Sequence, residues 1–402
     1  MTTRRPRLLV FNQYYHPGVE ATAKLLTALC EAVADEYEVT VITGRLREHE
    51  DEPHRETRNG VEIIRVRSTT YDRAPLHRRA SNYLTYLWHS LRKGLTVPRP
   101  DIVVCMTDPP LVGNVALVAA RRFRVPLVVI SQDVFPEIAV ALGRLTNPIL
   151  VKLLAILTRS YLARADRVVA IGTTMAARLA EKGAAPTRLQ VIPNWTDPDV
   201  ITPTERPNTW MTENSLAGRF VVMHSGNIGH AQDLGTLIRA TTLLRDLELL
   251  SVVLVGFGAR HAEYELLKER LGADAVAFLP YQPREILSQS LSSADVHFVG
   301  LGGGLAGYVV PSRLYGIMAA GRPVLVSAED ESETAQLVRD IGCGIVVPPG
   351  EPVHVADAIR AFAAGEHDLE AMGRRGREYV EAEAGRETAV GRYRALFDEV
   401  RA

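Results

Sequence analysis

Phe220-Val-Val-Met-His-Ser-Gly-Asn-Ile-Gly229 is the stretch on which the fold is read. Residues Phe220–His224 form a short, largely apolar run of strand length. Gly226 and Gly229 then allow a tight backbone turn, and a helical pattern starts at about Asp233. The first amides of such a helix, with its positive dipole end, suit an anionic ligand. An ordinary strand-to-helix turn is the competing reading.

The same alternation of short β-branched runs and longer helical stretches extends in both directions, which predicts an α/β fold of parallel sheets wound by helices. Towards the N-terminus, strands are predicted at 7–11, 38–43, 61–67, 102–106, 127–131, 167–171 and 189–192. After Phe220 they are predicted at 251–255, 275–278, 296–300, 323–326 and 344–347. Between the halves, residues 196–218 carry Pro198, Pro203, Pro207 and Gly218 among polar residues and read as a linker. Val390, Tyr393, Leu396, Phe397 and Val400 mark an amphipathic helix over 384–400. The organisation expected is therefore a domain over 1–200, a second over 215–383, and a terminal segment 384–402. Two doubly wound sheets facing each other imply a cleft, with ligands at the carboxyl ends of the strands.

Composition limits the function classes. With 46 Lys+Arg against 47 Asp+Glu the net charge is -1, so no global field favours nucleic acid or a membrane, and only a local patch would. Cys30, Cys105 and Cys343 are too far apart in sequence for a Cys/His metal motif and read as buried thiols of a reducing cytoplasm. No long apolar stretch suggests a bilayer span or a signal peptide.

A second glycine-rich run, Gly300-Leu-Gly-Gly-Gly-Leu-Ala-Gly-Tyr-Val-Val-Pro-Ser-Arg313, leads into a predicted helix over 314–320. Its glycines, Gly304 and Gly307 among them, allow amides to wrap an anion, and Tyr308 follows directly. Pro311 fixes the approach, Ser312 reads as an N-cap, and Arg313 offers a forked cation to a diphosphate. A mobile surface loop is the alternative. Gly256 and Gly258 form half of a dinucleotide fingerprint, without the third glycine and acidic residue that would mark NAD. Tyr281 would stack on a flat base, or simply occupy a β-turn.

In the first half, Gln13, Tyr14, His16 and Gly18 follow a strand, and Asp133 and Glu137 follow another. Gly18 would face a phosphate, while the carboxylates would hold hydroxyls or act as base. As alternatives, Asp133 caps a turn and Glu137 is solvated.

In sequence order, Gln13–Gly18, Asp133–Glu137, Val191-Ile-Pro-Asn-Trp195, Ser225–Gly229 and Val310-Pro-Ser-Arg-Leu-Tyr-Gly-Ile-Met-Ala-Ala-Gly-Arg-Pro-Val324 resemble retaining GT-B glycosyltransferases of family four. The branch most resembled contains bacterial fucosamine-type transferases for surface polysaccharides. The resemblance implies a donor site in the C-terminal domain, formed by Ser225, Gly226, Asn227, Gly229, Gly256, Gly258, Tyr281, Gly304, Gly307, Tyr308, Pro311, Ser312 and Arg313, with Gly18 opposite. It implies an acceptor site at Gln13, Tyr14, His16, Asp133 and Glu137, catalytic roles for Arg313 and Asp133, and a terminal helix returning to the N-terminal domain. Two departures stand out. The family's Arg and Lys after the first loop fall on Asn227 and Gln232, and its two glutamates fall on Tyr308 and Gly316.

The partners so implied are a nucleotide-diphosphate sugar, expected to be UDP-linked, and a sugar or lipid-linked acceptor, with neither metal nor cofactor. Asp197-Pro-Asp199 has the Asp-x-Asp spacing of metal-dependent transferases but reads as a hinge turn. The run from Arg73 to Lys93 mixes cations with Tyr83, Leu84, Tyr86, Leu87, Trp88 and Leu91. Its apolar face is expected to pack inside the first domain and its basic flank to touch an anionic membrane. The helix over 148–165 is expected to pack into the core. A nucleotide-sugar 2-epimerase of the same fold and a non-catalytic two-lobed sugar-binding protein are the rival readings.

Overall fold

Apolar runs too short for helices become the strands of two sheets in the computed structural model, which describes residues 4–18, 20–45, 52–68 and 76–402, with 76–80 in backbone only. The first sheet contains β1 (Arg7–Phe11), β2 (Glu38–Gly44), β3 (Arg55–Arg58), β4 (Val61–Val66), β5 (Ile102–Cys105), β6 (Leu127–Ser131), β7 (Arg167–Ala170) and β8 (Leu189–Val191). Its order is β3-β4-β2-β1-β5-β6-β7-β8. Every neighbour pair is parallel except β3–β4, which is antiparallel. Asn59 and Gly60 join that pair at φ 45° and 80°, the two left-handed residues of a tight hairpin. The hairpin was not anticipated from the sequence.

The second sheet is parallel throughout: β9 (Phe220–Ser225), β10 (Leu250–Val255), β11 (Val276–Leu279), β12 (Val296–Gly300), β13 (Val324–Ser327) and β14 (Gly344–Val347), in the order β11-β10-β9-β12-β13-β14. Strands β5, β6, β10 and β12 are buried along their full length, so helices cover both faces and continuous apolar runs replace alternation. Strand order reverses beside β1 in one sheet and beside β9 in the other, where the loops leaving neighbouring strands diverge and leave room for a ligand.

The chain forms two units, Met1–Pro193 with Ala389–Ala402, and Asn194–Thr388. Helix Arg386–Arg401 belongs largely to the first. Phe397 is buried edge-on against Tyr37, with ring centroids 5.9 Å apart, and the Tyr37 hydroxyl donates to Asp398 at 2.8 Å.

Residues 196–218 are not the free linker expected from their composition. Arg377 donates to the carbonyls of Pro198, Ile201 and Ala319, at 2.9, 2.7 and 2.7 Å, which fixes the segment on the second unit. Trp210 and Met211, in the short helix Thr209–Glu213, are buried there as well. Helix Leu369–Glu383 presses closely on the end of helix Arg313–Ala319, because Gly373 and Gly376 carry no side chain.

The expectation of core packing also fails for helix Pro148–Leu162. Thr158, Tyr161 and Leu162 are buried, while Ile149, Leu150, Leu153 and Ile156 are exposed. In helix Leu76–Gly94, Tyr86 and Ser90 are buried, but Leu84 and Trp88 are exposed. A helix with apolar residues on two faces can bury only one of them against a sheet. Residues 73–75 of the basic run lie outside the described residues.

A methyl group at Gly373 would lie 2.0 Å from the Gly321 carbonyl oxygen, whereas one at Gly391 would meet nothing within 4 Å. Gly373→Ala is expected to lower unfolding free energy by about 1–3 kcal/mol. Gly391→Ala, on the terminal helix, should raise it by about 0.5–1 kcal/mol. Urea unfolding of the two variants beside the parent checks both signs.

Candidate functional site

In the second unit, the strand order places the end of β9 beside those of β10 and β12, and glycines bring their loops into backbone contact. A Cβ on Gly256 would lie 2.0 Å from the Gly226 carbonyl oxygen, and one on Gly258 would lie 2.3 Å from that of Ile228. Gly226 and Gly256 have φ 140° and 135°, which side-chain-bearing residues rarely adopt. Tyr281, half exposed, lies over Gly256 and donates its hydroxyl to the Phe257 carbonyl at 3.1 Å. Phe257 is another half-exposed aromatic at this edge, unmarked in the sequence reading because Gly256 and Gly258 drew attention to backbone instead.

Arg313 completes the cluster. Its guanidinium lies against Gly226, its Nη1 is 2.7 Å from His224 Nε2 and 2.9 Å from Nδ1, and its Nη2 reaches the Asn227 carbonyl at 3.5 Å. Among the described residues no carboxylate pairs with it. Burial, offset slightly by Tyr281, pulls its pKa down to about 10, so it remains charged at neutral pH. Burial and the Arg313 charge hold His224 well below the usual imidazole range, so this ring is neutral. His224 was read from sequence only as a strand terminus. Its contact with Arg313 spans 89 residues of chain and leaves no local signal.

Ser225, Gly226, Asn227, Gly229, Gly256, Gly258, Tyr281 and Arg313 are thus gathered at one edge of the sheet. Two of the predicted glycine amides, those of Gly226 and Gly229, already have protein partners. The Gly226 amide donates to Val255 O and that of Ile228 to Phe257 O, at 2.9 and 3.0 Å, while that of Gly229 donates to Gln232 Oε1 at 3.0 Å. Gln232, standing where the resembled family has a cation, therefore ties the turn together. In the second loop, the amides of Gly304 and Ala306 donate to the two oxygens of Glu329, at 3.0 and 3.1 Å. A carboxylate of the protein already fills that nest. Tyr308, Gly307 and Pro311 lead from this loop to Arg313, with the Tyr308 amide closing a turn on Leu305 O at 3.0 Å. Ser312 occupies the N-cap position without a side-chain cap bond, its own backbone being helical. Gly316 faces Ile201 and Leu291, in packing rather than at the site.

In the first unit, the loops after β1, β5 and β6 meet. The Gln13 amide donates to Asp108 O at 2.7 Å, and Thr22 Oγ1 donates to Asp108 Oδ2 at 3.0 Å. Burial raises the Asp108 carboxyl. Asp133 is pushed up to about 7, by burial first and the Asp108 charge second, with Thr107 opposing. Asp133 Oδ1 is buried with no hydrogen-bond partner among the described residues. Asp108 was missed in the sequence, where its two following prolines mark only a turn. Tyr14 is fixed through its carbonyl, which accepts from Asn12 Nδ2 at 2.7 Å. The His16 carbonyl accepts from Arg65 at 3.1 Å, and burial with neighbouring Arg58 lowers the imidazole pKa.

Two predicted roles in this unit are corrected. The Gly18 amide closes a turn on Tyr15 O at 2.7 Å and is not free for phosphate. Glu137 is held by Lys182, which donates to both of its oxygens, so it is not a free hydroxyl acceptor. The Asp197-Pro-Asp199 spacing forms a turn in which the Asp199 amide donates to Asp197 Oδ1 at 3.1 Å. Among the described residues, no helix is long and apolar enough to cross a membrane.

Residues 18–195 match the model of the glycosyl transferase 4-like domain, and residues 209–379 that of glycosyl transferases group 1. The chain is 30% identical over 280 residues to the probable glycosyltransferase WbjE of Pseudomonas aeruginosa, covering 68% of each protein. It is 30% identical over 240 residues to the putative colanic acid biosynthesis glycosyl transferase WcaI of Escherichia coli K12, covering 58% of each. Among solved structures, Anabaena HepE in complex with UDP is similar with a TM-score of 0.76 at 15% identity, over 98% of this chain and 100% of that one. Sucrose-phosphate synthase from Thermosynechococcus elongatus gives 0.82 at 18% identity, over 98% and 99%. With both units matched and the parallel-sheet architecture shared, this chain belongs to family four of the glycosyltransferases, of the GT-B type.

Proposed function

We propose that the protein transfers a sugar from a nucleotide-diphosphate sugar, UDP-linked, to a hydroxyl of a sugar or lipid-linked acceptor, with retention at the anomeric carbon and without a metal ion. The observation that carries this reading is Arg313, a guanidinium beside a neutral histidine and, among the described residues, without a carboxylate partner. As the bond between the anomeric carbon and the β-phosphate oxygen breaks, negative charge grows on the departing diphosphate, and a fixed cation stabilises it. Arg313 supplies the charge that a divalent ion provides elsewhere. The amides of Gly226, Gly229 and Gly304 are excluded from that task by their protein partners.

Tyr281 and Phe257 offer aromatic faces to the base. In the first unit, Gln13, Tyr14 and His16 would bind the acceptor. Asp133, with a pKa near neutrality and an unsatisfied oxygen, would orient the attacking hydroxyl and take its proton. The new bond joins that oxygen to the anomeric carbon on the face the diphosphate leaves. UDP in the HepE complex supports a UDP donor, the colanic acid biosynthesis in the name of WcaI supports a polysaccharide product, and the fucosamine type of sugar rests on the sequence resemblance.

UDP is expected to raise the melting temperature of the parent protein. Arg313→Ala should weaken UDP binding about 10- to 100-fold in a calorimetric titration, given about 1.5–3 kcal/mol for a charge-assisted hydrogen bond. Unchanged affinity would remove Arg313 from the donor site. Activity should survive excess chelator, and NMR of the product should show the donor's anomeric configuration. Donor turnover to a free epimer without acceptor would instead identify an epimerase.

The raised Asp133 pKa gives a second test. Base form appears as pH rises through about 7, so kcat/KM should rise over that range. Asp133→Asn should remove this limb and lower the rate about 10²- to 10⁴-fold. Stability has the opposite slope. An unfolded carboxyl loses its proton near pH 4, the folded one near 7, so this group favours folding below about pH 4 and loses that contribution as pH rises to about 7. Asp133→Asn should flatten that decline in denaturant unfolding measured from pH 4 to 8.

A further inference from the structure

Outside both sites, the first unit has a layer of three helices in which helix Val112–Phe123 packs against Leu76–Gly94 on one side and Pro148–Leu162 on the other. The layer is close-knit, since a Cβ on Gly113 would lie 2.6 Å from the Tyr161 ring. Its outer side is apolar. Leu84, Trp88, Val118 and Ile156 are 63%, 59%, 46% and 57% exposed, and each precedes by two positions a buried Tyr86, Ser90, Ala120 or Thr158. Two residues turn a helix by about 200°, so each exposed side chain points away from the core. Among the described residues of this unit, the other exposed large hydrophobics are Tyr83, Ile149, Leu150 and Leu153 on the same helices, and Val140 on helix Glu137–Ala141.

Charge selects the occupant. The three helices contain no aspartate or glutamate, in a chain that holds 47 of them. Arg92, Lys93, Arg121, Arg122, Lys152 and Arg159 lie on them instead. A second copy of the same cationic face would be repelled in a two-fold contact. We propose that this face docks on an anionic lipid bilayer, with Leu84, Trp88, Ile149, Leu153 and Ile156 entering the interface and the basic side chains meeting the headgroups. The proposal is independent of the donor chemistry.

The full chain should co-sediment with phosphatidylcholine vesicles containing phosphatidylglycerol, less with phosphatidylcholine alone, and less as salt rises. Trp195 and Trp210 are 5% and 3% exposed, so Trp88 reports the contact and should be quenched by brominated lipid. Combined Ile149→Ser, Leu153→Ser and Ile156→Ser should weaken vesicle binding at least tenfold, while melting temperature and UDP stabilisation stay at parental values. Lys152→Glu with Arg159→Glu should abolish the preference for phosphatidylglycerol, with the same two controls. Absence of co-sedimentation, equal binding to both vesicle types, or an unquenched Trp88 would each overturn the proposal. So would a dimer in sedimentation velocity that the triple serine variant dissolves.

Discussion

Arg313, which pairs with no carboxylate among the described residues, is the constraint around which the second unit is organised. Withdrawing a guanidinium from water costs several kcal/mol unless other groups replace the lost solvation. Arg313 has a neutral imidazole and a carbonyl as neighbours, and neither cancels its charge. The helix bearing it is accordingly held from three directions. Gly373 and Gly376 admit a second helix against the Gly321 backbone and the Met318 side chain, Arg377 binds the terminal Ala319 carbonyl, and the buried His224 ring meets the guanidinium. A cation fixed so firmly need not reorganise when charge develops before it, which is the source of electrostatic preorganisation.

The first unit uses the complementary device. Asp108 and Asp133 stand on loops from neighbouring strands, each carboxyl is raised by burial, and the Asp108 charge raises Asp133 further. The proton on Asp133 is thereby held with a pKa of about 7. The sugar-transfer reading therefore assigns charge neutralisation to one unit and proton handling to the other.

Architecture was legible in the sequence because apolar runs of strand length, separated by helical stretches, leave few alternatives to parallel sheets. Gly226, Gly256 and Arg313 were also legible as a cluster, through their places after successive strands. What could not be read was where the backbone donors go. Glycine spacing announces a turn but not whether its amides are free, and Glu329, remote from the loop in sequence, occupies two of them. The pairing of Glu137 with Lys182 spans 45 residues and was equally silent. Composition misled at 196–218, since prolines and polar residues suggest a linker whether or not an arginine elsewhere clamps the carbonyls. Hydrophobic period alone likewise could not show which face of Pro148–Leu162 the sheet would cover. The Asn59-Gly60 hairpin was a signal present and passed over.

Helix Arg386–Arg401 has a consequence for biosynthesis. Tyr37, near the beginning of the chain, finds its cover on Phe397 and Asp398, so the first unit remains open-sided until all of Asn194–Thr388 has been translated. The second unit lies within Asn194–Thr388 and has all its strands before that helix is made. Vectorial synthesis would thus finish the later-made unit first and seal the earlier-made one last.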